Sequence, residues 1–311
     1  MTLYTILAEH AVIAFILRRI RSIQRKLMRQ TQTKISKAQI SKDLKKLGVK
    51  EGDLLYVFSS LRSIGNVIGG PTAVIDSLKD AVGPGGTLVL PCFSLVGGQM
   101  TTTLESDRIF DPKTTPTALG LIPETFRKRP GVYRSIHPTH SVCAFGPKAQ
   151  WITQGHENCA TTFGKDTPFH KMINMNAEVL LLGVDIRVIT FYHYFEDVTR
   201  HFPINPYLDK EYEGKVLVDG KVKKITVRAH DPEVAKTRID HKGGSSNREY
   251  LTDYLLKKQV LRSGSVGEAK SWIINAIDLI DALEELLERN ITIYTTEQEM
   301  RALSNKRALS N

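Results

Sequence analysis

The feature that limits the possible folds most is an order of segments early in the chain. It consists of a buried strand, a glycine-bearing loop, a helix and a second buried strand. Residues 53–58 (DLLYVF) are a continuous apolar run, typical of a fully buried strand. The polar loop SSLRSIGNVIGG comes next, and residues 72–82 (TAVIDSLKDAV) have the spacing of a helix. A GPGG turn leads into residues 87–93 (TLVLPCF), a second strand. Strands that alternate with helices predict an α/β fold.

Later segments add strands, a hairpin and a last long helix. SVCAFG (141–146) and VLLLGV (179–184) are further apolar strand segments. The stretch KVLVDGKVKKITV predicts a β-hairpin that turns at Asp219-Gly220. We expect SVGE (265–268) to cap the last long helix, and ITIY (291–294) to add a strand.

The chain divides into one domain with a segment at each end. No Pro-, Gly- or Ser-rich linker interrupts residues 31–300, which we predict to be one domain, and residues 301–311 read as a frayed tail. Residues 1–30 have apolar residues at helical spacing and six Lys/Arg against one Glu, so they predict a basic amphipathic helix. The apolar stretch is interrupted by Glu9 and His10 and is too short to span a bilayer. Either it lies on anionic lipid, or it packs on its own domain or on a second subunit of a homo-oligomer.

Composition places the chain among ordinary globular proteins of the cytoplasm. It has 311 residues, of which 41% are hydrophobic and 24% are charged, so it can bury a sizeable core. Cys92, Cys143 and Cys159 form no CxxC motif and suggest no disulfide framework, which favours a reducing cytoplasm. A membrane-peripheral location would depend on residues 1–30. The net charge of +10 favours anionic partners, but the basic residues lack the interleaved aromatics of a nucleic-acid site.

The segment YRSIHPTHSV (133–142) places two histidines three residues apart and raises three chemical interpretations. A zinc site needs three or four ligands, and no third ligand follows His137 and His140 at a suitable spacing, so we predict no metal. A serine nucleophile is disfavoured because Ser141 adjoins His140 on a strand, where neighbouring side chains point to opposite faces. The chain also has no GxSxG elbow.

A general base is the third interpretation. An imidazole titrates near neutrality and can accept a proton from an attacking group, provided that a carboxylate orients it. Glu124 in IPETFR and Glu196 in TFYHYFED are the candidate carboxylates for His140. His193 stands three residues before Glu196, so on a helix the two would share a face.

In order along the chain, these segments resemble the aminoglycoside 3-N-acetyltransferase family. The resemblance covers about residues 36–290 and rests on the ordered blocks GDLLYVFSSLRSIG, GPGGTLVLPCFS, FDPKTTPTALGLIPETFR, RSIHPTHSVCAFG, FGKDTPF, VLLLGV, TFYHYFE and GSVGEAKSW. It implies a three-layer α/β/α domain with a mixed central sheet. It also implies acetyl-coenzyme A as co-substrate, and direct acetyl transfer to a primary amine of a small-molecule acceptor.

The resemblance also implies roles for particular residues. His140 would be the base, held in its tautomer by Glu196 or Glu124, while His137 would shape the turn with Pro138. The loop at Ser59, Ser60, Leu61 and Arg62 matches the block that lies along the pantetheine arm of the coenzyme. Its amides, or Ser141, would polarise the thioester carbonyl, and Arg134 would bind the coenzyme phosphates.

Two departures from the family pattern bear on the acceptor and on activity. The family usually has a histidine where this chain has Phe58. Residues 200–262 hold fourteen Lys/Arg against nine Asp/Glu, and this basic stretch would repel a polycationic aminoglycoside. The sequence therefore predicts an amino sugar with an anionic group, such as a nucleotide-linked one, as acceptor. An aminoglycoside acceptor, an inactive binding protein of the same fold and a Ser/His hydrolase are the alternatives.

Overall fold

The computed structural model describes residues 33–238, 246–296, 298, 299 and 302. The strands of these residues are β1 (Lys34–Ile35), β2 (Leu54–Ser59), β3 (Asn66–Val67), β4 (Thr87–Pro91), β5 (Ile109–Phe110), β6 (Tyr133–Arg134), β7 (Val142–Phe145), β8 (Glu178–Leu182), β9 (Tyr207–Val218), β10 (Lys221–His230), β11 (Leu261–Val266) and β12 (Ala269–Asn275). The helices are α1 (Lys37–Leu47), α2 (Leu61–Ile64), α3 (Gly70–Val82), α4 (Met100–Glu105), α5 (Leu121–Phe126), α6 (Ala149–Thr153), α7 (Pro168–Asn174), α8 (Phe191–Val198), α9 (Pro232–Thr237), α10 (Ser246–Lys257) and α11 (Ala276–Glu288).

A seven-stranded mixed sheet organises the chain in the order β11-β12-β8-β2-β4-β7-β6. The three central strands β8, β2 and β4 are parallel, and the strands on either side of them are antiparallel to their neighbours. The carboxyl ends of the parallel strands meet at one edge of the sheet. The amino end of β7 lies at the same edge, because Val142 pairs with Pro91 at the end of β4.

Alternating side chains of the sheet pack against helices on both faces. In β2, Leu55 and Val57 point into a cluster with α1, α3 and α5, while Tyr56 and Phe58 point into a cluster with α7, α8 and α11. Both faces of this strand are buried, which explains its continuous apolar run. The prediction of an α/β fold with a mixed central sheet between helical layers is confirmed.

The predicted hairpin is confirmed as β9 and β10, which pair antiparallel around Asp219 and Gly220. Both turn residues have positive φ, 49° and 76°, which a two-residue hairpin turn of this hand requires. The short strand β5 joins the hairpin in a separate three-stranded sheet. The inserted hairpin thus lies beside the central sheet and not within it.

Two local predictions are wrong. Ser265 does not cap a helix but lies in β11, and the chain turns at Gly267 and returns as β12. The last helix begins only at Ala276, where the Asn275 side chain accepts from the amide of Ile277 at 2.9 Å. The segment 291–294 forms a turn and not a strand. Pairing of β12 with β8 prevails over the local helix-start signal, because it completes a buried sheet.

Residues 1–30 lie outside the described residues, as does the tail 301–311 apart from Ala302. Within the part of the chain that is described, no helix combines the length and apolarity that crossing a membrane requires.

Candidate active site

A cavity of about 450 Å³ opens at the edge where the parallel strands end. His140, at the amino end of β7, lines it from one side, and His193, on α8, lines it from another. Three further side chains line it: His230 at the end of β10, Arg238 directly after α9, and Tyr294 after α11. The fold therefore brings three imidazoles, a guanidinium and a phenol together at one sheet edge, where α/β proteins commonly bind ligands.

The turn that carries His140 is built around His137. Its Nδ1 accepts from the backbone amides of Thr139 at 3.3 Å and of His140 at 3.1 Å. The His137 ring stacks on His156 with 4.5 Å between the ring centroids. Burial lowers the pKa of His137 well below its ordinary value, so this ring stays a neutral acceptor near pH 7. The sequence-based interpretation that His137 shapes the turn is confirmed.

His140 lies in an apolar setting at the cavity wall. Its ring packs against Phe93 and Phe163, with centroids 4.5 and 4.9 Å away, and its Nδ1 is 2.9 Å from Oγ1 of Thr139. Burial lowers the pKa of His140 well below its ordinary value, and charge on His230 and His193 would lower it further. His140 is therefore a neutral imidazole whose partner is a hydroxyl and not a carboxylate.

Neither predicted glutamate orients His140. Glu124 binds Arg127 at 2.6 Å and Lys128 at 2.8 Å and accepts from the amide of Thr117 at 3.0 Å, on the opposite face of the sheet from α8. These donors, the Arg127 guanidinium above all, lower the pKa of Glu124 to about 2. The prediction that Glu124 orients the base is wrong, because α5 carries its own cationic partner one turn further on.

Glu196 instead orients His193, the side chain three residues before it on α8. The Nδ1 of His193 lies 2.8 Å from Oε2 of Glu196, while Oε1 accepts from the hydroxyl of Tyr294 at 2.9 Å. The Glu196 side chain is 1% exposed, and burial raises its pKa, while His230, Arg238 and Tyr294 act in the opposite direction. The shared helical face predicted for these two residues is confirmed.

The other ring nitrogen of His193 is also bound. Nη1 of Arg238 lies 2.9 Å from Nε2 of His193. Because a guanidinium only donates, Nε2 accepts, and the ring proton sits on Nδ1 facing Glu196. His193 is therefore held as one neutral tautomer between a carboxylate and a guanidinium.

His230 completes a cluster of metal-ligating types with His193 and Glu196. Their donor atoms lie within 4.8 Å of one another, a spacing at which such side chains can hold a cation. The guanidinium of Arg238 occupies Nε2 of His193 and adds positive charge at the same place. The residues therefore fit a hydrogen-bonded relay better than a cation site.

Arg134 and Ser141 do not face the cavity or a coenzyme groove. Nε of Arg134 donates to Oγ of Ser141 at 3.0 Å, and Nη2 donates to the carbonyl of Cys92 at 2.7 Å. The same carbonyl accepts from the Ser141 hydroxyl at 2.7 Å, and the guanidinium stacks over the ring of Phe110. The predicted roles in phosphate binding and carbonyl polarisation are wrong, since these donors already bind the protein's own backbone.

The loop after β2 lies at the same sheet edge as His140 and borders a second, open groove. Ser60 caps α2, accepting from the amide of Ser63 at 3.3 Å, and its own amide donates to the carbonyl of Leu182 at 2.9 Å. Among the described residues, the buried hydroxyl of Ser59 has no hydrogen-bond partner. The groove measures about 710 Å³, and its lining includes Ser63, Gly183, Asp185, Arg187, Lys270 and Trp272.

Sequence reasoning missed the residues that reach the site from distant elements. Arg238 and Tyr294 lie 45 and 98 residues from their partners on α8, and no local pattern marks either. Trp272 reaches the groove through pairing of β12 with β8, and Arg187 reaches it from the turn that follows β8. Phe58, where a histidine was expected, is a core residue that packs edge-on against Tyr56 at 4.7 Å between centroids.

Fold and site together have the features of an α/β enzyme, with an oriented imidazole in a cavity and an open groove at the same sheet edge. The family model described as aminoglycoside 3-N-acetyltransferase matches residues 56–288. The aminoglycoside N(3)-acetyltransferase III of a Salmonella species is 32% identical over 265 residues, 81% of this chain and 91% of that protein. The aminoglycoside N(3)-acetyltransferase VII of Streptomyces paromomycinus is 29% identical over 272 residues, covering 82% and 92%.

Solved structures agree with the sequence relatives. The crystal structure of aminoglycoside acetyltransferase AAC(3)-Xa has a TM-score of 0.71 and 27% identity, covering 86% of this chain and 98% of that one. AAC-VIa bound to sisomicin has a TM-score of 0.70 and 28% identity, covering 83% and 99%. The chain belongs to the aminoglycoside 3-N-acetyltransferase family. The predicted family and enzyme class, an N-acyltransferase, are confirmed.

Proposed function

We propose that this protein transfers the acetyl group of acetyl-coenzyme A directly to a primary amine of a small-molecule acceptor, with His193 as the general base. The single observation that carries the proposal is the hydrogen bond from His193 to the buried Glu196, because it gives the cavity an imidazole whose protonated form a carboxylate stabilises. Membership of an acetyltransferase family supplies the reaction class.

The reaction needs a proton acceptor on the amine. A protonated amine has no lone pair, so the nitrogen must lose a proton before or during its attack on the thioester carbonyl. In the proposed step the amine nitrogen bonds to the carbonyl carbon, its proton passes to Nε2 of His193, and the carbon–sulfur bond breaks as the coenzyme leaves as thiolate. Nδ1 keeps its proton, and the carboxylate of Glu196 balances the imidazolium.

His193 replaces His140 as the proposed base. The Nδ1 of His140 is bound to the hydroxyl of Thr139, which stabilises an imidazolium far less than an ionised carboxylate does. Its ring is also wedged between Phe93 and Phe163. We assign His140 to the wall that faces the acceptor, as a neutral hydrogen-bonding group.

The open groove at the ends of β2 and β8 suits the coenzyme. Ser59 ends β2, Ser60 caps α2, and the helix begins with Leu61 and Arg62. Ser63 of the same helix lines the groove, so a thioester carbonyl bound there would lie near the start of α2. Arg187 and Lys270 supply positive charge for phosphates, and Trp272 offers a ring on which a base can stack. Donor and acceptor would thus enter by separate openings along one sheet edge.

Two acceptor classes are supported by different observations. The relatives are named aminoglycoside N(3)-acetyltransferases, which makes an aminoglycoside the first candidate. The charges that line the cavity favour a second class: Lys236 and Arg238 are both cationic, and no carboxylate stands among the described residues that line it. An amino sugar that carries phosphate or carboxylate would complement this wall, whereas a polycation would be repelled.

The test is thiol release from acetyl-coenzyme A with kanamycin, glucosamine and glucosamine 6-phosphate as acceptors. The expected result is amine-dependent release that His193→Asn reduces by about 10²–10⁴-fold, the usual contribution of a general base. The matched control is His201→Asn, at an exposed position with φ of 61°, which asparagine tolerates. Unchanged activity in His193→Asn would reject His193 as the base.

A further inference from the structure

Arg238 occupies the atom on which the proposed chemistry depends. Its guanidinium donates to Nε2 of His193 at 2.9 Å, so that lone pair is engaged before any acceptor binds. An imidazole whose second nitrogen faces Glu196 has no other site for a proton. The base is therefore capped in the structure.

We propose that Arg238 is a latch on this base, and that an anionic group on the acceptor opens it by drawing the guanidinium away. The inference rests on the proposed function, since it takes His193 as the base, and it names the residue that selects the acceptor. A phosphate or carboxylate offers a guanidinium two parallel charge-assisted hydrogen bonds, which a neutral imidazole nitrogen cannot match.

The segment that carries Arg238 is suited to move. Helix α9 spans Pro232–Thr237, and none of its residues is buried, whereas the Arg238 that follows it is only 6% exposed. The backbone of Arg238 is tied to the same helix, donating to the carbonyl of Ala235 at 3.3 Å. A helix without buried residues detaches from the domain at a low cost in free energy. The buried side chain of Arg238, directly after α9, therefore holds this segment against the site.

The charges around the latch favour an anion in the same place. Lys236 lines the cavity on the same segment. The carboxylate of Glu196 accepts from Tyr294 and lies 2.8 Å from Nδ1 of His193, and the charge of Arg238 lowers its pKa. Lys236 already pairs with Glu233 at 2.5 Å, outside the cavity lining. An incoming anion would therefore meet chiefly the guanidinium of Arg238, with no carboxylate among the described residues that line the cavity.

Release of the latch would couple recognition to catalysis. With the guanidinium on the acceptor's anion, Nε2 is free for the amine proton, and the positive charge lies on the substrate. A neutral or cationic amine carries no anionic group that would bind Arg238. Nε2 of His193 then stays hydrogen-bonded to the guanidinium, and the amine is acetylated more slowly. Specificity then appears in kcat as well as in KM, because only the correct acceptor assembles the working site.

The first experiment compares glucosamine with glucosamine 6-phosphate, which differ only in the phosphate, and adds glucosaminuronic acid as the carboxylate arm. The kcat/KM of the wild-type enzyme should be at least about tenfold higher with the anionic acceptors than with glucosamine. This is the ratio expected when one charge-assisted pair of hydrogen bonds forms with the acceptor. Arg238→Gln should lose most of this preference and acetylate glucosamine faster than the wild type does. The control Arg200→Gln removes the same charge at an exposed position and should keep the wild-type ratio.

A second experiment has its main readout on the wild-type enzyme, so misfolding of a variant cannot produce the expected result. Inorganic phosphate added to the wild-type enzyme with glucosamine as acceptor should raise kcat/KM several-fold, because the free anion opens the latch, and should leave Arg238→Gln unaffected. Preference for kanamycin over glucosamine 6-phosphate, or no activation by phosphate, would overturn the latch while leaving the acetyl transfer intact. Activity that does not depend on His193 would instead overturn the proposed base.

Discussion

The hydroxyl of Tyr294 lies 2.9 Å from Oε1 of Glu196, although 98 residues separate them in the chain. Tyr294 follows the last helix and lies beyond residues 56–288, the stretch that the family model matches. It leaves Oε2 of Glu196 free to accept from His193. The residues after α11 therefore reach the proposed base through Glu196.

We expect Tyr294→Phe to lower kcat by about tenfold with little change in KM for either substrate, because Glu196 loses one charge-assisted donor and holds His193 less firmly. Steady-state kinetics with a saturating acceptor measure this effect. Tyr133→Phe, at a position that is 46% exposed, is the control and should match the wild type. Equal losses in both variants would argue against a positioning role for Tyr294.

Glu196 and Glu124 were equivalent candidates in the sequence, and the structure separates them. Glu196→Gln should reduce kcat by about 100-fold, since an amide cannot neutralise the imidazolium of His193. Glu124→Gln should leave kcat unchanged, because Glu124 contacts Arg127 and Lys128 on the face of the sheet opposite α8. A large loss of kcat in a well-folded Glu124→Gln protein would contradict this assignment.

Glu124 should instead contribute to stability in a pH-dependent way. Its pKa is lowered in the folded state to about 2, below the ordinary value of 4.5. The stabilisation is therefore fully present above about pH 5 and is lost as the pH falls toward 2, where the folded carboxylate also takes a proton. The free energy of unfolding of wild type and Glu124→Gln, measured by urea denaturation, should differ at pH 6 and converge toward pH 2. A difference that does not change with pH would contradict the ion pair.

His156 should make the protein sensitive to mild acid. Burial lowers its pKa from 6.5 to about 4, and the ring bridges Ser135 at 3.1 Å and the carbonyl of Thr162 at 3.0 Å. Between pH 6.5 and 4 the unfolded chain binds a proton at this histidine and the folded protein does not. As the pH falls through this range, the free energy of unfolding therefore decreases by up to about 1.4 kcal/mol per pH unit for this residue.

His156→Gln should therefore be less stable than the wild type at pH 7.5 but should have a shallower pH dependence between pH 6.5 and 4. Denaturant titrations at several pH values measure both effects. His170→Gln, at a half-buried histidine on α7, is the control and should keep the wild-type slope. A parallel slope in His156→Gln would show that another group causes the acid sensitivity.

Substitutions of Arg134, which binds the protein's own backbone, and of Arg187, which lines the open groove, should have different effects on stability and on coenzyme binding. Arg134→Gln should lower the melting temperature and leave the KM for acetyl-coenzyme A unchanged in the folded fraction, because its guanidinium binds Ser141 and backbone carbonyls. Arg187→Gln should raise that KM by about 5–10-fold, the value of one exposed phosphate contact, with an unchanged melting temperature. The reverse pattern would return phosphate binding to Arg134.

The layered fold could be predicted from the amino-acid sequence, because hydrophobic periodicity and turn residues are local properties. The buried run of β2, the helix α3 and the Asp219-Gly220 hairpin could all be predicted from adjacent residues. There were two exceptions: the helix-start signal at Ser265 gave way to pairing of β12 with β8, and residues 291–294 form a turn instead of a strand. The ordered motifs also identified the family, and the Glu196 spacing placed His193 on the same helical face.

The pairing of side chains in the site follows from the three-dimensional packing of the chain and could not be predicted from local patterns. Whether Glu196 or Glu124 is catalytic depends on which face of the sheet each helix covers, and a sequence pattern does not encode the face. The contacts of Arg238 and Tyr294 with α8 arise from segments that are remote along the chain. Side-chain hydrogen bonds are formed through space over a few ångströms, so the chemistry of this site follows from the packing of distant segments and not from the spacing of residues along the sequence.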